Sequence, residues 1–114
     1  MILIVEDELW LNLDISEALK DEGYDVIAVA NADDAIKVLE SRNDIRTIFT
    51  DIDLPGSIDG LKLAAAVRDR WPPVNIIVTT GMKGPRRDEL PARSLFIAKP
   101  YRSSQVLEAV RSFE

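Results

Sequence analysis

The stretch Met1-Ile2-Leu3-Ile4-Val5-Glu6-Asp7-Glu8 decides how this chain is read: four consecutive aliphatic residues run straight into three acids. An unbroken apolar run of that length lacks the alternation of a half-wet strand and fits a strand covered on both faces. Three more runs of the same kind lie at residues 47–50, 74–79 and 95–98, and a more mixed one at residues 24–29 fits an edge strand. Between the runs, apolar residues recur at helical spacing: Leu11, Ile15, Ala18 and Leu19; Ala32, Ala35, Ile36 and Leu39; Leu63, Val67 and Trp71; Val106, Ala109, Val110 and Phe113.

Start and stop signals agree with this division. Asn31 is placed to cap the second helix, Asp59 precedes the third, Ser103 or Ser104 opens the last, and Gly23 stands where the first should stop. Strands alternating with helices predict a doubly wound α/β domain, a parallel sheet with helices on both faces. Such a sheet binds ligands beyond the carboxyl ends of its strands. One segment breaks the rhythm: residues 81–93 contain Gly84, Pro85 and Pro91 without an apolar stripe, so a fourth helix there is expected to be shortened or irregular. At 114 residues, the expectation is one domain spanning residues 1–114.

Composition narrows the chemistry. The chain has no cysteine and no histidine, which removes disulfides, thiolate nucleophiles, imidazole bases and zinc sites built on either. Carboxylates, hydroxyls, lysine and arginine remain. A formal net charge of −6 argues against binding nucleic acid, whose affinity comes largely from basic residues on phosphates. No apolar run approaches the roughly 20 residues that cross a bilayer, and the apolar start reads as a strand rather than a signal peptide, so a soluble, cytoplasmic protein is expected.

The residues at the predicted strand ends carry the functional argument. Glu6, Asp7 and Glu8 follow the first strand; they either converge on a hard cation such as Mg²⁺ or simply favour the start of the first helix. Asp51 ends the third strand, just before Asp53 and a Pro55-Gly56 turn, and taken singly it reads as a turn former. Thr79 and Thr80 end the fourth strand and Lys99 ends the fifth; singly these express β propensity and a solvated charge. Together, carboxylates, a hydroxyl and an ammonium at the exits of different parallel strands form a set that chance seldom assembles. The set suits phosphoryl transfer, in which a cation and a lysine neutralise phosphoryl oxygens while a carboxylate attacks.

The residues Ile2-Leu3-Ile4-Val5-Glu6-Asp7-Glu8, Asp51-Ile52-Asp53-Leu54-Pro55, Asp59-Gly60, Thr80-Gly81 and Lys99-Pro100-Tyr101, in this order, resemble the receiver domains of two-component response regulators. The resemblance implies a flavodoxin-like (βα)5 fold with strand order 2-1-3-4-5. It implies Mg²⁺ held by Asp7, by Glu6 partly through water, by Asp51 and by the backbone carbonyl of Asp53. It makes Asp51 the phosphoacceptor, Lys99 its ionic partner and Thr80 the hydroxyl that bonds the attached phosphoryl group, with Thr79 as the alternative alignment. Phe96 takes the place of the family's switch aromatic, against its plainer reading as a core phenylalanine, and Lys99-Pro100 resembles the family's cis peptide.

The implied partners are a histidine kinase or histidine phosphotransfer protein, which must supply the histidine this chain lacks, and a downstream protein target. No nucleic acid or membrane partner is expected, and the chain is expected to be a monomer or weak homodimer, not a conventional enzyme. Two departures stand out. The turn through residues 55–60 is one residue longer than the common form, and Thr80 and Lys99 are closer together than usual, which reshapes the region carrying Met82, Lys83, Arg86 and Arg87. Those four are candidate partner contacts or plain solvated loop residues. Two rival readings are a docking module with this fold that is never phosphorylated, and a phosphatase resembling the haloacid dehalogenases. The second also begins from an apolar strand and Asp51-x-Asp53, but this chain has its acidic pair early, not after the lysine.

Overall fold

The computed structural model describes residues 1–56, 58–81 and 90–114. The elements run β1 (Ile2–Val5), α1 (Leu9–Asp21), β2 (Val26–Val29), α2 (Ala32–Ser41), β3 (Thr47–Asp51), α3 (Gly60–Arg70), β4 (Asn75–Thr80), β5 (Ser94–Ala98) and α4 (Ser103–Ser112). The strands form one parallel sheet in the order β2-β1-β3-β4-β5. Because all strands point the same way, their carboxyl ends line a single edge.

The sheet separates two cores. On one face Leu3, Val5, Ile48, Ile76 and Val78 pack against Ala35 and Leu39 of α2 and Leu63 and Val67 of α3. On the other, Ile4, Phe49 and Ile77 meet Ile15 and Leu19 of α1 and Val106 and Val110 of α4. Burial on both faces explains the unbroken apolar runs of β1, β3 and β4. The run in β5 does not follow that rule: Leu95 and Phe96 are 37% and 38% exposed. Among the described residues β5 is the sheet's edge, with β4 as its one strand neighbour, and at 38% exposure Phe96 is no core phenylalanine.

The helix boundaries have local causes. The Asn31 side chain accepts the Asp34 N–H at 2.8 Å, and the Asp59 side chain accepts the Lys62 N–H at 2.9 Å. Gly23, at φ 92°, reverses the chain after α1, with its N–H on the Lys20 carbonyl and that of Tyr24 on the Leu19 carbonyl. α4 opens at Ser103, but its cap comes from Gln105, whose side chain accepts the Arg102 N–H at 2.8 Å. At the amino edge of the sheet the Arg68 guanidinium donates to the carbonyls of Pro72, Val74, Ala92 and Arg93 at 2.6, 3.1, 2.8 and 3.3 Å. This fixes the approach to β5, where Arg93 takes the left-handed φ of 60°. The predicted irregular fourth helix, the contacts at Met82, Lys83, Arg86 and Arg87, and Ser57 of the lengthened turn lie outside the described residues.

Candidate functional site at the carboxyl edge

Four strand exits converge here. Glu6 leaves β1, Asp51 closes β3, Thr80 closes β4 and Lys99 leaves β5. Glu6 and Asp51 are 1% and 3% exposed, a burial that charged carboxylates tolerate only with compensation. Lys99 supplies it: Nζ lies 2.7 Å from Asp51 Oδ2 and 3.1 Å from Glu6 Oε1. The other Asp51 oxygen accepts the Asp53 N–H at 2.9 Å, and Glu6 Oε2 accepts the Glu8 N–H at 3.1 Å. Among the described residues Glu6 Oε1 has no hydrogen-bond partner, and the Lys99 ammonium is its ionic contact.

One carboxylate oxygen each from Glu6, Asp7 and Asp51 can be chosen so that all lie within 4.8 Å of one another. Three hard oxygen donors at that spacing fit a divalent cation such as Mg²⁺. The buried Glu6 oxygen that lacks a hydrogen-bond partner is a fitting donor for such an ion. The Asp53 carboxylate is not in this group; it accepts the Thr80 hydroxyl at 2.5 Å. Thr79 Oγ is buried without a hydrogen-bond partner, so of the two threonines Thr80 is the one tied to the acids. Phe96, on β5, is half-exposed and stands level with Val78 of β4. Lys99-Pro100 is cis.

The electrostatics follow from burial. Desolvation pushes the Glu6 carboxyl up to about 7, against the opposing pull of the Glu8 N–H and of Lys99. Burial would lower Lys99, but the Asp51 and Glu6 carboxylates beside its ammonium outweigh that and raise it. Burial also raises the Tyr101 phenol, reinforced by the negative charges of Glu6 and Asp51. Its hydroxyl is buried without a partner, and its ring meets Phe49 edge-on at 5.6 Å.

Two residues to which the sequence reading gave no role, Gly60 of the Asp59-Gly60 pair and Asn12, belong to the frame of this site. Gly60 opens α3 against the Asp51 carbonyl: a Cβ there would fall 1.9 Å from that oxygen, so only glycine fits. Asn12 of α1 donates from Nδ2 to the carbonyls of Glu6 and Val29 at 2.9 and 3.2 Å. Its signal in the sequence was a polar residue one turn before Ser16, flanking the apolar stripe of α1.

A five-stranded sheet in this order, with acids at the exits of β1 and β3 and a lysine after β5, defines a receiver-type fold. The chain belongs to the response regulator receiver domain family, whose model matches residues 2–111. It is 37% identical over 81 residues to an NtrX-like response regulator of Rickettsia felis, a match spanning 70% of this chain but 17% of that relative. Among solved structures it resembles a response regulator receiver protein of Sinorhizobium medicae at 31% identity and a TM-score of 0.90, covering 98% of this chain and 91% of that one. It also resembles the response regulator TrrA of Thermotoga maritima in complex with Mg²⁺ and BeF, at 27% identity and a TM-score of 0.85, covering 99% and 97% of the two chains. Receiver domains are regulatory modules of two-component systems, acting with kinases and downstream effectors, and this one carries their acidic pocket. The family assignment removes the haloacid-dehalogenase alternative. Among the described residues no helix is long and apolar enough to cross a membrane.

Proposed function

We propose that this chain is a single receiver domain, working in the cytoplasm, that takes a phosphoryl group onto Asp51 from a phosphohistidine of a partner kinase or phosphotransfer protein. The observation that carries the proposal is Lys99 Nζ lying 2.7 Å from Asp51 inside a buried acidic cluster. Glu6, Asp7, Asp51 and the Asp53 carbonyl would hold Mg²⁺, which when bound supplies positive charge for the phosphoryl oxygens. Asp51 attacks phosphorus through a carboxylate oxygen; an O–P bond forms as the P–N bond of the donor breaks, and the electron pair returns to the imidazole nitrogen. Lys99 neutralises charge on the transferring group. Thr80 then leaves Asp53 for a phosphoryl oxygen, and the movement reaches Phe96 along β5, changing how the domain binds its downstream target.

The donor must come from outside because the chain contains no histidine. Leu9, Trp10 and Leu13 support a docking place on α1: all three are exposed, Trp10 by 79%, directly after the acidic turn. In solution we expect a monomer or weak homodimer.

The test is incubation with acetyl phosphate or beryllofluoride, with and without Mg²⁺, read by intact mass and tryptophan fluorescence. A Mg²⁺-dependent adduct that disappears in Asp51→Asn is the expected result. Acetyl phosphate and a purified phosphohistidine donor both failing with Mg²⁺ present would leave a docking module that is never phosphorylated.

A further inference from the structure

Asn12 ties α1 to the strand ends beneath the acidic cluster. Its carboxamide uses both N–H groups on main-chain carbonyls, those of Glu6 in the turn after β1 and Val29 in β2. Its oxygen accepts the Ser16 hydroxyl at 3.3 Å, and Ser16 is buried. These bonds settle which end of the amide faces which way. An amide on a one-carbon stalk offers two donors and an acceptor in one plane, and no other side chain of that length does. Val29 also accepts the Glu6 N–H at 3.1 Å, so the two ends of the Glu6 main chain are held to the same place.

The Glu6 carbonyl belongs to the peptide joining Glu6 to Asp7. Fixing that peptide plane fixes the directions in which both carboxylates leave the chain. The turn is closed on its other side by the Glu8 N–H on Glu6 Oε2 and the Asn12 N–H on the Glu8 carbonyl at 2.9 Å. We infer that Asn12 is a positioning residue for the divalent cation: it holds the Glu6–Asp7 pair in the spacing a small, geometrically strict ion demands. This inference rests on the metal-binding reading of the site. Mg²⁺ needs near-octahedral geometry and short ligand distances, whereas Ca²⁺ accepts looser, more variable coordination. Loosening the Glu6–Asp7 peptide therefore weakens Mg²⁺ more than Ca²⁺.

The experiment measures Mg²⁺ and Ca²⁺ dissociation constants by calorimetry, at a temperature where circular dichroism shows each protein folded. It compares the natural chain with Asn12→Leu, which keeps the bulk and loses the donors, and with Asn12→Ala. Residues that orient metal ligands typically matter by 10- to 100-fold. The expected result is a roughly tenfold loss of Mg²⁺ affinity with a smaller loss for Ca²⁺. A merely structural role lowers the thermal midpoint without moving the ratio of the two constants. Unchanged Mg²⁺ affinity in the folded variants overturns the inference. Should Asn12→Leu and Asn12→Ala not fold, Asn12→Ser, which keeps a polar group too short to span both carbonyls, is judged by the same criterion. A natural chain that binds no Mg²⁺ at all overturns the metal-binding reading, and this inference with it.

Discussion

Glu6→Gln should stabilise the metal-free protein at neutral and alkaline pH, and by a predictable amount. Glu6 is 1% exposed, and its carboxyl is raised from 4.5 to about 7, chiefly by burial. Between those values the native state holds a proton that the unfolded chain has released. The favourable contribution of this proton is fully present below about 4.5 and lost as pH rises through about 7. The gap corresponds to about 3 kcal/mol, reduced to roughly 2 kcal/mol by relaxation and water entry around the charge. Glutamine resembles the protonated acid and does not titrate, so the variant escapes the loss. At about 4 °C per kcal/mol for a domain of this size, its midpoint at pH 8 in EDTA should exceed that of the natural chain by roughly 8 °C. At pH 5 the two should nearly coincide. Mg²⁺ should stabilise the natural chain more than the variant, because ligand binding adds RT ln(1 + [L]/Kd) and the variant has lost a charged ligand. Thermal melts at pH 5, 6, 7 and 8, with EDTA or Mg²⁺, provide the readout. Parallel pH curves, or a variant less stable at pH 8 in EDTA, would refute the reasoning.

Two further outcomes follow from the packing. Gly60→Ala places a methyl group against the main-chain atoms of Asp51 and Ile52, which cannot swing away; a loss of about 3 kcal/mol in urea unfolding is expected, and a loss under 1 kcal/mol contradicts the close approach. Arg68→Lys replaces a fork that reaches the Pro72, Val74, Ala92 and Arg93 carbonyls with a single ammonium. It should cost about 2 kcal/mol and speed hydrogen exchange at Leu95, with unchanged exchange there counting against the clamp.

The acidic turn after β1, Asp51 and Lys99 were legible because a parallel sheet turns sequence order into spatial convergence. Once residues 2–5, 47–51, 75–80 and 94–98 are strands running the same way, whatever follows them meets at one edge. Other features depend on distances that no pattern encodes. That Thr80 donates to Asp53 and not to Asp51, or that Gly60 abuts the Asp51 carbonyl, requires knowing how two turns nest. The half-exposure of Leu95 and Phe96 was hidden for another reason. Four apolar residues read the same in the middle of a sheet and at its rim, and only the mixed composition of β2 betrayed an edge.

β5 is held very differently at its two ends. Where it begins, Arg68 grips the carbonyls of Ala92 and Arg93, and the Ser94 hydroxyl bonds the Pro91 carbonyl at 2.7 Å. Where it finishes, Lys99 is joined to the Thr80 carbonyl and to two carboxylates, one of them Asp51 itself. Between these anchors each residue of β5 is paired with β4, from Ser94 level with Ile76 to Ala98 level with Thr80. The half-exposed phenyl ring of Phe96 thus sits midway along a strand fastened at its root by a guanidinium and at its tip by an ammonium.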